Sequence, residues 1–491
     1  MDTDAAAAVA EGAGARVRSR PRSSDVLTVF AVMWAAATLF HVWGPSGRVT
    51  DLFTGTTSVM ALQAAAAVAA IVVLARPRAF AAFVVMVVLG PLVAWFEAPV
   101  LGSHWTVVTL VDVGLLLATL AARRGVAFER AFVPVGRWVL IGFYCFAAFA
   151  KLNHAFFTPT VSCGTYYLDE LAQSLHLSLH SQAGGGWTHL VPFAVAGTEL
   201  SIPILLLVRR TRHVGVVVGL VFHSLIALDQ THLFSDFSSV LAPLFVLFLP
   251  PPFASDVVAR WRALSADRRE RVRAVFVVGA AVLLAAQFYG RGDAVARLFA
   301  DGRAWAWVIY DVIVLALVGG FLWSRRPAPI ERPLSFGANG VPKWLAVVPA
   351  LVVLTGLAPF LELRTAYAFN MYSNLRTADG DSNHFLVTRT LPLTDFQSDL
   401  VRITATDDPG LRQYVVQRFD IPFLQLRDYL SRNPDVQLAY VRKGVSHSMA
   451  RAGNDLDLVR PVPSWESKLF AFRSLDQTDP TRCQPSFLPA L

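Results

Sequence analysis

The chain has 491 residues, 55% of them hydrophobic and 16% charged, with a mean hydropathy of +0.49; soluble globular chains carry about 25% charge, so a soluble enzyme filling the whole length is excluded. The net charge is +8, with 28 basic against 20 acidic residues before residue 361 and 15 of each after it. The excess therefore sits in the apolar part and not on the soluble basic face of a nucleic-acid binder, and three cysteines support neither a disulfide-dense scaffold nor a cysteine-based zinc module.

Residues 1–24 mix an alanine run with Arg16, Arg18, Arg20 and Arg22 and read as a cytoplasmic N-terminal segment. The apolar stretch after them is too long for a signal-peptide core and reads as a retained anchor. A bilayer core of roughly 30 Å needs about 20 apolar residues per helix. Eleven runs approach that, near 25–44, 57–75, 79–96, 105–122, 134–150, 188–208, 213–229, 234–249, 274–289, 304–323 and 344–360. With the N-terminus inside, 23 basic residues fall in inner segments and five outside, namely Arg48, Lys151, Arg291, Arg297 and Arg303. This positive-inside bias makes residues 25–360 a multi-pass cell-membrane domain and places 361–491 outside the cytoplasm, a conclusion that turns on the parity of the span count.

The loop from Lys151 to Trp187 carries Tyr167, Leu168, Leu171 and Leu175 at helical spacing with Asp169, Glu170 and Gln173 between them, the pattern of an amphipathic helix at the outer interface. Gly184, Gly185 and Gly186 then allow re-entry. In the tail, Phe385–Thr390, Leu400–Thr406 and Val436–Arg442 read as strands, Asp408-Pro409-Gly410 as a turn, and Phe423, Leu426 and Leu430 as one helix face. The expected fold is thus an all-α polytopic membrane bundle of about 11 transmembrane helices with a small C-terminal α+β extracytoplasmic domain.

An ionisable residue inside a membrane is costly and marks either a functional group or a hydrogen-bonded packing residue. Asp112, Glu199, His223 and Asp311 lie mid-span. Glu199 and His223 stand on consecutive spans joined by a short turn, so their side chains could pair. His41, Glu97, His104, Lys151, Asn153, His154, Asp229, Gln230 and His232 fall at outer helix ends. Converging, they would form a polar chamber; otherwise they are solvated helix ends. Lys151, in the run Phe149-Ala150-Lys151-Leu152-Asn153, either snorkels with its head in water or is desolvated, which disfavours the ammonium and leaves an amine able to act as general base. Cys163 and Cys483 both fall on the expected oxidising side, and a disulfide between them would tie the tail to the loop beside Lys151, subject to the strict geometry of that bond. Cys145, within a span, is expected to be a reduced packing residue. No nucleotide-binding loop, HExxH or GxSxG motif is present, and no internal repeat of the transporter kind is visible.

The segment Phe143 to Phe157, the stretch from Glu199 through Arg210-Thr211-Arg212, Phe222-His223 and Phe237-Ser238 to Leu247-Phe248-Leu249-Pro250, and the Ser103-His104-Trp105 element together resemble the HTTM (horizontally transferred transmembrane) family, whose membrane domain is shared with vitamin K-dependent γ-carboxylase. The resemblance covers roughly residues 25–325. It implies that Lys151 matches the lysine regarded as the base that deprotonates vitamin K hydroquinone, with His104 near the same chamber, and that a reduced quinone is the cofactor. The chain departs from the carboxylase in having a single lysine where that enzyme has two, Asn153 in place of Asp, and a much shorter tail, which speaks against peptide recognition and true carboxylation.

Three functions are compatible with these residues. The first is quinone- or lipid-linked chemistry at an outward chamber, with Lys151, His104 and Glu199 catalytic and Asn153, His154, His223, Asp229 and His232 binding the ligand. The second is a non-catalytic membrane binding or scaffold protein that keeps only the fold. The third is a proton-coupled transporter using Asp112, Glu199, His223 and Asp311. The lipid bilayer is the expected partner, with a quinone or lipid ligand and no nucleic acid.

Overall fold

The computed structural model describes residues 24–484 apart from 44–56, 184, 230–231, 233, 290–291, 325–333, 335 and 338–340. The N-terminal arginines, Arg48, Gly184, Gln230 and Arg291 thus lie outside the described residues.

The first half is helical. Ser24 caps α1 (Asp25–Val42) by accepting from the Leu27 amide, and α2 (Thr57–Ala75), α3 (Phe80–Glu97), α4 (Ser103–Arg123) and α5 (Phe128–Ala150) follow. A short α6 (Cys163–Ser174) precedes α7 (Leu190–Leu207), α8 (Arg212–Ile226), α9 (Phe234–Val246), α10 (Pro252–Ala263), α11 (Ala266–Tyr289), α12 (Asp293–Ser324) and α13 (Val347–Leu357). Among the described residues, seven helices are long and apolar enough to cross a membrane: α1, α3, α4, α5, α7 with the turn before it, α11 and α12. Four further apolar helices, at Val59–Ala75, Arg212–Ile226, Phe234–Val246 and Lys343–Leu357, are shorter. An apolar membrane bundle agrees with the composition, and among the described residues seven of the eleven expected spans are met at full length.

Burial orders the bundle. α5 is its axis, with 72% of its span buried, whereas only 6% of α11 is covered by protein. Where water drives no association, helices are held by close packing of small residues and by hydrogen bonds. A Cβ on Gly219 of α8 would stand 2.1 Å from the Phe245 ring of α9, and one on Gly356 of α13 would stand 2.1 Å from Phe146 of α5, so these glycines set how near the helices come. Polar groups inside find partners. Trp34 donates to Asp112 (2.9 Å) and Ser224 to Asp311 (2.8 Å). Arg137 donates from Nε and Nη2 to the Leu247 carbonyl (2.9 and 2.7 Å), just past the end of α9 where helix carbonyls lack partners.

The tail ends in a five-stranded antiparallel sheet. Its strands are β3 (Leu400–Thr406), β4 (Phe419–Pro422), β5 (Leu438–Arg442), β6 (Val445–Met449) and β7 (Leu475–Asp476), in the order β6-β5-β3-β4-β7, and a two-residue ribbon of β1 (Thr377–Ala378) and β2 (Asp381–Ser382) precedes it. Val401 and Ile403 alternate inward and meet Leu426 and Leu430 of α15 (Phe423–Arg432) and Leu411 of α14 (Pro409–Gln417). Two local expectations change. Asp408-Pro409-Gly410 opens α14, because the Asp408 carboxylate caps the Leu411 amide (2.8 Å) and Pro409 suits a first helical turn. Phe385–Thr390 is not a strand, since among the described residues its pairing is confined to a single Asp381–Arg389 bridge.

Between α13 and the sheet, residues 365–374 run without helix or strand, yet nearly all are buried. They fill the end of the bundle. Thr106 of α4 donates to the Tyr367 carbonyl (2.8 Å), Phe369 packs edge-on against Phe143 (5.3 Å), and Asn153 donates to the Ser373 carbonyl (2.6 Å). Tyr367, Tyr372 and Asn374 take positive φ angles of 37°, 51° and 54°, a region that side chains other than glycine seldom adopt. Elsewhere Lys468 holds the tail to the tip of α3 through the Trp95 carbonyl (2.6 Å).

Candidate functional site at the tail-bearing end of the bundle

Lys151 caps the C-terminal end of α5, and its side chain is buried. Its Nζ lies 2.7 Å from Glu199 Oε2 on α7, with side-chain exposures of 5% and 14%. Longer approaches run to the carbonyls of Met371 (3.4 Å) and Ala147 (3.5 Å), and the Phe156 ring lies 5.9 Å away. The lysine therefore does not extend into bulk water, and it is not a lone amine either: it is half of a buried ion pair, with the plug at residues 365–374 against it.

Glu199 and His223 do not pair. The imidazole is bonded at both nitrogens by others: Tyr144 Oη lies 2.5 Å from Nε2, and Ser238 Oγ lies 3.2 Å from Nδ1. Since Ser238 gives its own proton to the His223 carbonyl (3.1 Å), Nδ1 is the donor and Nε2 accepts from the tyrosine, a pattern that needs a neutral ring. Lys151 has drawn the carboxylate and Tyr144 the imidazole.

A second polar centre joins α1, α2, α3, α4 and α9. His41 Nε2 lies 3.0 Å from both Glu97 oxygens, and Gln63 donates to the same carboxylate (2.6 Å). His41 Nδ1 (3.0 Å) and His104 Nε2 (2.9 Å) converge on Oδ2 of Asp236, whose other oxygen faces the Trp105 indole nitrogen at 3.5 Å. The Trp105 ring lies over His41 with centroids 3.5 Å apart.

The remaining residues singled out in the sequence separate from these two centres. Asp229 holds His232 (2.9 Å), whose ring meets Tyr166 and Tyr167 of α6. Asn153 is structural: its amide donates to the Ala150 and Ser373 carbonyls, and its oxygen accepts from the Phe156 amide (2.9 Å). His154 is exposed and touches Phe385. Cys163 and Cys483 form a disulfide, while the free thiol of Cys145 lies on the exposed face of α5.

Within the plug, Tyr372 packs against Tyr167 with centroids 4.5 Å apart. Burial pushes the Tyr372 phenol up to about 12, despite the opposing field of Arg473 and the bond to Tyr167. The crevice there is lined by Tyr372, Asn374, Arg376, Arg473 and Arg482.

The site residues that sequence reasoning missed are Asp236, Gln63, Tyr144 and Ser238. Asp236 stands in the first turn of α9, where a carboxylate has an ordinary helix-dipole explanation, and no spacing links it to His41 or His104. Searched against family models, curated proteins and solved structures, the chain matches none.

Proposed function

We propose that this integral membrane protein is of the HTTM, γ-carboxylase-like type, and that the Lys151–Glu199 pair takes a proton from the hydroxyl of a lipid-soluble ligand such as a reduced quinone. The observation that carries this reading is the 2.7 Å pair itself, withdrawn from water and with the Phe156 ring 5.9 Å from Nζ. In such surroundings two opposite charges and two neutral groups come closer in energy than in water, because burial penalises the charged forms. Glu199 can accept the lysine proton, and the amine so formed then takes the hydroxyl proton of the ligand. The end state is an ammonium beside a neutral carboxylic acid, facing the ligand anion. A hydrophobic ligand suits this better than a water-soluble one, since it enters from lipid without rehydrating the pair. Peptide carboxylation is not part of the proposal.

A second reading, a non-catalytic membrane protein, draws on the Met371 carbonyl: the plug already lies against Nζ. Menaquinol oxidation and oxygen consumption by the purified chain, with Lys151→Arg and Glu199→Gln beside wild type, separate the two. The catalytic reading expects quinol-dependent turnover that both variants lower by at least ~100-fold, the lower end of what a positioned acid–base group contributes. Equal rates in all three proteins, or none above an empty-detergent control, leave the binding reading.

A further inference from the structure

We propose that His41, His104 and Asp236 bind a divalent first-row transition-metal ion, with Glu97 supporting His41 from behind. The three side chains come from α1, α4 and α9, and one ligand atom from each lies within 4.8 Å of the others. The site is separate from the Lys151–Glu199 pair and does not rest on its function.

Glu97 presents both oxygens to His41 Nε2 at 3.0 Å, and a carboxylate there accepts, so Nε2 carries the proton. In the neutral ring Nδ1 then presents a lone pair, aimed at Asp236 Oδ2 from 3.0 Å. Two lone pairs at that distance repel unless a positive centre sits between them. The same oxygen is faced by His104 Nε2 at 2.9 Å. Among the described residues His104 Nδ1 is buried with no partner, so the neutral ring has two places for its one proton: on Nε2 it donates to Asp236, and on Nδ1 it leaves Nε2 free to bind an ion. Either His41 takes a second proton while His104 keeps its own on Nε2, or one cation serves both contacts.

The distances accommodate the cation. Ligand atoms about 2.1 Å from an ion and at right angles to one another stand about 3.0 Å apart, whereas tetrahedral ligands stand about 3.4 Å apart. The observed nitrogen-to-oxygen separations of 3.0 and 2.9 Å match the first. Two imidazoles and one carboxylate, with ligand atoms within 4.8 Å of one another, make a donor set that suits iron(II) or a similar ion. The surroundings match as well. A metal-bound histidine commonly gives its other N–H to a carboxylate that is itself hydrogen-bonded, as His41 does to Glu97 and Gln63 does to Glu97 at 2.6 Å. Trp105 covers the His41 ring and faces the far oxygen of Asp236. His104 and Asp236 each keep 14% exposure, an approach for an ion and for a further ligand.

The test uses the full chain in detergent, tag removed, stripped with chelator and then equilibrated with Co2+. Wild type should bind one equivalent with visible d–d absorption, and Asp311→Asn, an acid elsewhere in the bundle, should bind equally. His104→Gln and Asp236→Asn should weaken binding by at least ~100-fold, and Glu97→Gln by about 10–100-fold. Should the ligand variants not be recovered folded, X-ray absorption on wild type decides, with two imidazoles expected in the cobalt shell. Wild type holding no Co2+ above the dialysate, His104→Gln binding like wild type, or a shell without imidazole overturns the proposal.

Discussion

His384, in the tail, gives its Nε2 proton to the carbonyl of Phe149, two residues before Lys151 (2.9 Å), while its Nδ1 accepts from the amides of Leu386 and Val387 at 3.1 Å each. The ring is 1% exposed and lies between Phe149 and Phe360. All three bonds require the neutral tautomer, so protonation removes an acceptor and leaves two amides facing a cation.

That arrangement makes tail docking sensitive to acid. Burial pulls the His384 pKa below its ordinary value, only partly offset by the bond to Phe149. The undocked or unfolded ring binds protons more readily, so the stabilisation is complete above the ordinary value near 6.5 and is lost as pH falls from there toward the depressed folded value. Protection against hydrogen exchange at residues 384–390, taken relative to the intrinsic rate at each pH, should be greater at pH 7.5 than at pH 5.5. His384→Ala should exchange faster at both and lose most of the difference, and the lost bonds should cost roughly 1–3 kcal/mol. A pH dependence unchanged in the variant would remove His384 as its cause.

Breaking the Lys151–Glu199 pair from one side leaves a buried charge. Lys151→Met alone is expected to cost about 3–5 kcal/mol, and the double variant Lys151→Met/Glu199→Leu should recover most of that. Thermal unfolding of the two proteins in the same detergent measures the difference. Additive losses would mean the two side chains do not depend on one another.

Gly219 sits one turn before His223 on α8. Gly219→Ala should push Phe245 aside and cost about 1–3 kcal/mol by overpacking, read as a lower melting temperature. Phe245→Leu in the same chain should relieve part of it. No change on Gly219→Ala would show that α8 and α9 stand further apart than described.

The Cys163–Cys483 bond closes a separation of 320 residues. Reduction, or Cys163→Ser with Cys483→Ser, should lower stability by about 2–5 kcal/mol and expose the end of the tail to protease first. An unshifted melting temperature under strong reductant, with both thiols alkylated, would contradict this.

Position along the chain was legible in the sequence: apolar runs and charged ends located most of the helices, and the alternation at Val401 and Ile403 located β3. Azimuth was not. Nothing in the spacing of His41, His104 and Asp236 tells that three separate helices turn these residues toward one point, and Glu199 and His223 stood at plausible depths for each other while facing different partners. The buried course of residues 365–374 was equally hidden. Its hydrogen bonds run to carbonyls and side chains scattered over the bundle, which leaves no period of 2 or 3.6 for the eye to find.

That segment also governs how the molecule can be taken apart. A truncated chain ending at residue 360 would lose Phe369 from Phe143, the Tyr367 carbonyl from Thr106 and the Ser373 carbonyl from Asn153. Severed there, the helices keep their lengths but forfeit a wall, and what looks in the sequence like a hinge between two modules is a seam sewn into one of them.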